Sequence, residues 1–151
     1  MHVQETEESR MANFDVRYDA KDDAFAIRTK VFVEEQGYED EFDDIDAYAE
    51  HITIFSDGEA VGCARCFPES ESSRCYIVGR VATLPEFRGR GIGRMLVKEC
   101  ESAASRKGAL SMRLHAQARL EGWYEGMGYK RVGDVDYEDE GQPHIWMEKI
   151  F

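Results

Sequence analysis

Apolar and polar positions change period along the chain, and each change marks an element. Phe14-Asp15-Val16-Arg17-Tyr18 alternates, which is the two-residue period of a strand. Asp19 then offers an N-cap, and Phe25, Ile27, Val31 and Phe32 recur at helical spacing, predicting an amphipathic helix over residues 21–36. Gly37 is its natural stop. Residues 38–50 are acidic and turn-rich, with Phe42, Ile45 and Tyr48 as expected anchors. Residues 51–55 and 61–67 read as two strands of a hairpin around Asp57-Gly58, a tight-turn pair. After a polar loop, residues 74–84 predict a longer strand ended by Pro85.

From Gly91 the period becomes helical again: Ile92, Met95, Leu96, Cys100 and Ala103 share a face up to Lys107-Gly108. Residues 109–116 predict a strand, and Leu120, Trp123, Tyr124 and Met127 line one face of a short helix that Gly122 and Gly126 weaken. Residues 129–137 and 144–150 close the chain as two strands around the acidic turn 138–141. The order β-α-β-β-β-α-β-α-β-β predicts an α/β (α+β) domain with a mixed, mostly antiparallel sheet and flanking helices. Residues 1–12 lack periodicity and are expected to be a disordered leader, leaving 13–151 as one domain.

Composition narrows the class. At 151 residues, 42% apolar and 11% aromatic, the chain can bury a core despite a net charge of −12. No apolar run approaches the roughly 20 residues of a membrane span, and the N-terminus has no signal-peptide pattern, so a cytoplasmic protein off the membrane is expected. The acidic balance argues against non-specific nucleic-acid binding, which needs a basic face. Cys63-x-x-Cys66 lies in a strand-like run where positions three apart face opposite sides, and no second pair follows. Reduced thiols and no metal site are expected.

Charge is unevenly spread. Residues 80–107 carry seven Lys/Arg against three Asp/Glu, a local +4. They contain Arg88-Gly89-Arg90-Gly91-Ile92-Gly93, placed between a strand and a helix, with Arg94 next. Glycines let backbone approach a ligand, and a helix start offers unpaired N–H groups and partial positive charge, so this turn suits a phosphate-bearing ligand. Neither G-x-x-x-x-G-K-S/T nor G-x-G-x-x-G is met: Arg94-Met95 follows Gly93, and Arg94 stands where the second pattern needs glycine. A nucleotide-binding module is therefore the weaker reading.

Arg88-x-x-Gly91-x-Gly93 resembles the Q/R-x-x-G-x-G/A signature of the GNAT N-acetyltransferase superfamily. Residues 81–87, Val-Ala-Thr-Leu-Pro-Glu-Phe, resemble its fourth strand, and Trp123-Tyr124-Glu125-Gly126-Met127-Gly128-Tyr129 resembles its Y-E-K-x-G-F segment. Arg28-x-x-Val31-Phe32-Val33-Glu34-Glu35-Gln36, Asp43-Asp44-Ile45-Asp46, His51, Ala116-Gln117 and Pro143-His144-Ile145-x-Met147 look like its ElaA-like and YjcF-like branch.

The resemblance implies splayed central strands and acetyl transfer from acetyl-coenzyme A to an amine. A primary amine on a small molecule is the expected acceptor, and direct attack in a ternary complex the expected route, since no cysteine stands at a catalytic position of the family. It places the coenzyme on the 88–93 amides with Arg88, Arg90 or Arg94, and on backbone groups of Val81 and Thr83, with Ala82 pointing away. Gln117 stands where the superfamily often has Asn. Tyr124 stands at the general-acid position. Glu34 and His144 are candidates for the base or for acceptor binding, and Glu35, Asp46 and His51 also qualify. Residues 1–50 carry a net −11, concentrated at 39–46, which can steer a cationic amine or simply keep the surface solvated. A non-catalytic acyl-coenzyme A binding or sensing domain is the alternative. Open sheet edges are compatible with a homodimer.

Overall fold

The computed structural model describes residues 14–151, and the expected leader lies outside them. Eight strands form one sheet. Its path runs β1 (Phe14–Arg17), β2 (Glu50–Ser56), β3 (Glu59–Pro68), β4 (Cys75–Thr83), β5 (Ser111–Gln117), β8 (Gln142–Ile150), β6 (Lys130–Arg131), and β7 (Asp136–Asp139) also pairs with β8. Among the described residues only β4 and β5 are parallel; every other pairing there is antiparallel. Asp57 and Gly58 both take positive φ, 50° and 81°, the geometry that joins β2 to β3 without splaying them.

Helices cover both faces. α2 (Ile92–Arg106) buries Ile92, Leu96, Val97 and Cys100 against one face, with Ile52, Ile54, Met112 and Ile145 opposite. Each fully buried Ile or Leu contributes about 1.5–3 kcal/mol. Gly62 of β3 permits this contact: a Cβ there would sit 2.7 Å from Ile92 Cγ2 and 3.2 Å from the Ala82 carbonyl. α1 (Lys21–Arg28) packs Ala24 and Ile27 on the other face over Cys63, Ala82 and Leu84. Cys63 and Cys66 thus point to opposite faces, and all four cysteines are free. α3 (Glu121–Glu125) is a single short turn after β5. No helix among the described residues is long and apolar enough to cross a membrane.

Four local expectations are corrected. The helix begins after Ala20, which takes the cap position without a side-chain bond, so Asp19 does not cap it; one further residue is spent leaving β1. Beyond Arg28 the helix continues through Thr29–Glu35 with π winding and stops where Gly37 reaches φ 78°. The single strand expected over 129–137 is two short strands. The chain leaves the sheet between them, where Gly133 and Asp134 are poor strand formers and Val132 and Val135 find no buried face. In the acidic loop, Phe42 and Tyr48 are 45% and 60% exposed, while Glu41 and Asp46 are only 4% and 6% exposed. Acids replace aromatics as anchors because arginines meet them. Tyr124 of α3 and Met127 just after it are buried, but Trp123 faces outward toward the start of α2.

Candidate active site

Strands β4 and β5 pair only over Cys75–Ile77 and Ser111–Arg113. Beyond that they diverge. β4 carries one extra residue against β3 between Gly79 and Ala82, and Arg80 takes φ 51° at this bulge. A bulge bends its strand and increases its twist, which turns β4 away from β5. The β5-facing backbone edge of the rest of β4 therefore has no strand partner. A cleft of about 740 Å³ opens there, lined by Val81, Thr83, Phe87, Gly91, Gly93 and Trp123 among others.

The glycine turn forms one end of this cleft. Gly89 and Gly91 both have φ 81°, and Gly91 is the N-cap of α2 with no side chain bonded to the helix start. The first-turn amides of Ile92, Gly93 and Arg94 thus keep their free N–H groups and the positive end of a 15-residue helix. Gly93 is required for closeness: a Cβ there would lie 3.1 Å and 3.2 Å from Trp123 ring atoms. Ala82 packs its side chain into the α1 cluster.

The three arginines of the turn differ. Arg88 is committed: Nη1 and Nη2 donate to Glu35 at 2.8 and 2.7 Å, and Nε donates to the Thr83 carbonyl at 3.1 Å. This pair holds the Glu35 carboxyl below the usual range. Arg90 lies over the Phe87 ring at 5.1 Å. Arg94 is exposed and lines the cleft.

A second cavity, about 90 Å³, adjoins the first and shares Phe32, Val81, Gln117, Leu120 and Tyr124 with it. Tyr124 is 7% exposed, and its hydroxyl makes no hydrogen bond among the described residues. Burial pushes its phenol up to about 12, so it stays a donor at neutral pH. His144, 4% exposed, opens onto the same cavity. Its Nδ1 donates to the Gln142 carbonyl at 2.9 Å, because a carbonyl only accepts, which leaves a lone pair on Nε2 in the neutral ring. That Nε2 lies 3.6 Å from the Asp139 carboxylate. Gln117 donates to Gln36 at 2.8 Å and accepts from Arg119 at 2.7 Å, bridging the helix end to the end of β5.

The other candidate bases lie elsewhere. Glu34 is exposed and lines neither cavity. Asp46 accepts from Arg28 and Arg65, and His51 Nε2 donates to the Asp46 carbonyl at 2.9 Å. Glu35 reaches the cleft but is held by Arg88. Of these candidates, His144 and Glu35 each share a cavity with Tyr124, and His144 is the one not held by an arginine.

Sequence reading missed the ionic group beneath this wall. Arg28 donates to Glu41 at 2.8 Å and to Asp46 at 2.7 Å, Arg65 to Asp43 at 2.6 Å, and Arg80 to the Glu41 carbonyl at 3.0 Å. One signal was present: Arg28 falls in the buried phase of Ala24, Ile27 and Val31, where a charge requires a partner. His115, stacked on His144 at 4.7 Å and bonded to Asp136 at 3.0 Å, had no local signal. Among the described residues, no cluster of three His, Cys, Asp or Glu could hold a metal.

Residues 16–151 match the family model of the acetyltransferase (GNAT) domain. The chain is 32% identical over 129 residues to the uncharacterized N-acetyltransferase YjcF of Bacillus subtilis (strain 168), covering 84% of this chain and 90% of the relative. It is 32% identical to Protein ElaA of Escherichia coli (strain K12) over 127 residues, covering 82% of each. The crystal structure of E. coli ElaA superposes with a TM-score of 0.78 at 25% identity over 90% of this chain and 97% of that one. An acyl-CoA N-acyltransferase from Pseudomonas aeruginosa superposes equally well, TM-score 0.78 at 27% identity over 90% and 98%. The family match, the relatives and the open β4–β5 cleft with its glycine turn agree: the chain belongs to the GNAT acetyltransferase family of acyl-CoA N-acyltransferase enzymes.

Proposed function

We propose that this enzyme moves an acetyl group from acetyl-coenzyme A to a primary amine on a small molecule, by direct attack within a ternary complex. The observation that carries this reading is Tyr124, an unbonded buried phenol standing between the glycine-turn cleft and the His144 cavity. Each cavity then takes one substrate, and the phenol stands where they meet.

The residues fit the coenzyme. At Gly91 the turn is open, since a Cβ would meet nothing within 4 Å, and the helix start behind it has no side-chain cap. A diphosphate suits such a cradle. Acetyl-coenzyme A, when bound, supplies an activated acyl carbon and a thiolate leaving group. The amides of Ile92, Gly93 and Arg94 bind the diphosphate, with Arg90 and Arg94 adding charge; Arg88 shapes the turn through Thr83 and Glu35 instead. Val81 and Thr83 present the unpaired edge of β4 to the thioester, where an N–H aimed at a developing oxyanion lowers a barrier by about 3–4 kcal/mol.

His144 Nε2 receives the proton that the amine must lose. A free alkyl ammonium has a pKa near 10.4, so about one molecule in a thousand is neutral at pH 7 without such help. Tyr124 Oη gives its proton to the leaving sulfur. Gln117, pinned by Gln36 and Arg119, orients the chain between the two cavities.

The test is coenzyme A release, followed with a thiol reagent, from acetyl-coenzyme A across a panel of small amines. Amine-dependent release is expected, with no acetylated enzyme accumulating in rapid mixing without acceptor. Thermal stabilisation by acetyl-coenzyme A without release for any amine would overturn the catalytic reading and leave a binding domain.

A further inference from the structure

We propose that the acceptor is an unbranched aliphatic diamine, one amino group entering beside His144 and Tyr124 while the second, as an ammonium, is held by Asp40. This rests on the acetyl transfer proposed above and names its second substrate.

The cavity beside His144 has about 90 Å³ against about 740 Å³ for the neighbouring cleft, so it is the narrower of the two and suits a slender chain. Its wall carries three carboxylates from two segments: Asp40 and Glu41 after the first helix, and Asp139 of β7. Glu140 ties these segments together by accepting from the amides of Glu39 and Asp40, each at 2.9 Å. Glu41 is neutralised by Arg28 at 2.8 Å and Arg80 at 3.1 Å. Asp40 and Asp139 have no arginine or lysine partner among the described residues; Asp139 has only the His144 ring at 3.6 Å. The one guanidinium in the wall, Arg80, is spent on the Glu41 carbonyl and carboxylate and on Asp43. The surplus charge facing the cavity is negative.

Acids alone would mark only a solvated rim. Here two polar side chains more than nine-tenths buried, Tyr124 and His144, also face the cavity without filling their bonding capacity. The Tyr124 hydroxyl has no partner among the described residues, and His144 Nε2 is beyond hydrogen-bond reach of Asp139. Two unfilled groups and two unpaired carboxylates call for a ligand rich in N–H donors. Phe32 and Tyr38 supply apolar surface for the methylenes between its ends. A carboxylate on the acceptor would face Asp40 or Asp139 across this wall, which disfavours amino acids.

Three compounds of one length separate the possibilities: 1-aminobutane, 1,4-diaminobutane and 4-aminobutanoate, with their pentane analogues. Calorimetry on protein saturated with coenzyme A reads binding without chemistry, and kcat/KM with acetyl-coenzyme A reads turnover. The diamine is expected to lead the monoamine by about fivefold, the scale of one partly exposed ion pair, with the amino acid weakest. Asp40→Asn is expected to bring the diamine down to the monoamine. Asp139→Asn, a second variant on the other wall, should also narrow the gap. Equal values for the three, a lead for the amino acid, binding of none, or a diamine preference that survives in both variants would overturn the proposal. If acetyl-coenzyme A itself neither binds nor reacts, the transfer reading fails; if it acetylates other amines without diamine preference, only this inference fails.

Discussion

Replacing Gly91 with alanine tests the glycine turn through backbone conformation alone. Gly91 sits at φ 81°, ψ 10°, and a Cβ there meets nothing within 4 Å, so no neighbour clashes. The left-handed conformation costs an L-residue about 1–2 kcal/mol. Alanine recovers about 0.4–1 kcal/mol by restricting the unfolded chain. The net loss is about 1 kcal/mol, which for a chain of this size lowers Tm by about 3 °C. A turn that instead relaxes to negative φ swings the amides of Ile92, Gly93 and Arg94 away from their common direction. Losing one charge-assisted bond from that set weakens binding by about 1.5 kcal/mol, or roughly tenfold. Calorimetric melting and titration with acetyl-coenzyme A measure both. Gly89→Ala is the control, with the same φ of 81° and the same open surroundings but outside the cap. It should match the loss of stability and lose less affinity. Gly91→Ala with wild-type Tm and wild-type affinity would refute the reasoning.

Tyr124→Phe removes a hydroxyl that makes no hydrogen bond among the described residues, so kcat should fall about 100-fold or more while Tm holds; full activity would remove the general-acid role. Arg28→Met leaves Glu41 to Arg80 and Asp46 to Arg65, and should cost about 3–5 kcal/mol in urea unfolding, because it strands buried charge; a loss under about 1 kcal/mol would contradict the ionic anchor. Acid should also weaken the fold. Burial alone would raise the Asp46 carboxyl, but hydrogen bonds from Arg28 and Arg65 hold it well below its usual range, and a hydrogen bond from Arg65 lowers Asp43. Such groups stabilise fully above their unfolded pKa near 4, and that contribution disappears as pH falls through the depressed folded values. Glu41 runs the other way, since burial lifts its carboxyl, so the net fall is the excess of the two aspartates. Urea unfolding should show stability dropping below about pH 4; a flat profile to pH 2 would contradict this.

What could be read from the sequence was what is local. The glycine turn declared itself because strand, Gly89, Gly91, Gly93 and helix stand within a few residues, and each glycine has a backbone reason that sequence order can express. The hairpin at Asp57-Gly58 is legible for the same cause. The site's polar wiring is not local. Glu35 meets Arg88 across 53 positions, and Gln36 meets Gln117 across 81. No periodicity encodes such pairs, so Arg88 reads as a free phosphate ligand until the fold gives it a partner. The acidic loop departs from its hydrophobic pattern because its anchors are charged. Glu41 and Asp46 are buried there only because Arg28, Arg65 and Arg80 arrive from three other elements. The strand expected over 129–137 failed at Gly133-Asp134, two poor strand formers between the exposed Val132 and Val135.

A crystal structure with coenzyme A bound tests the central claim most directly. Diphosphate oxygens about 3 Å from the amides of Ile92, Gly93 and Arg94, with the thiol-bearing arm beside Val81 and Thr83 and ending near Tyr124, is the expected result. A coenzyme seated away from the Gly89–Gly93 turn, or an arm directed out of the β4–β5 cleft, would contradict it.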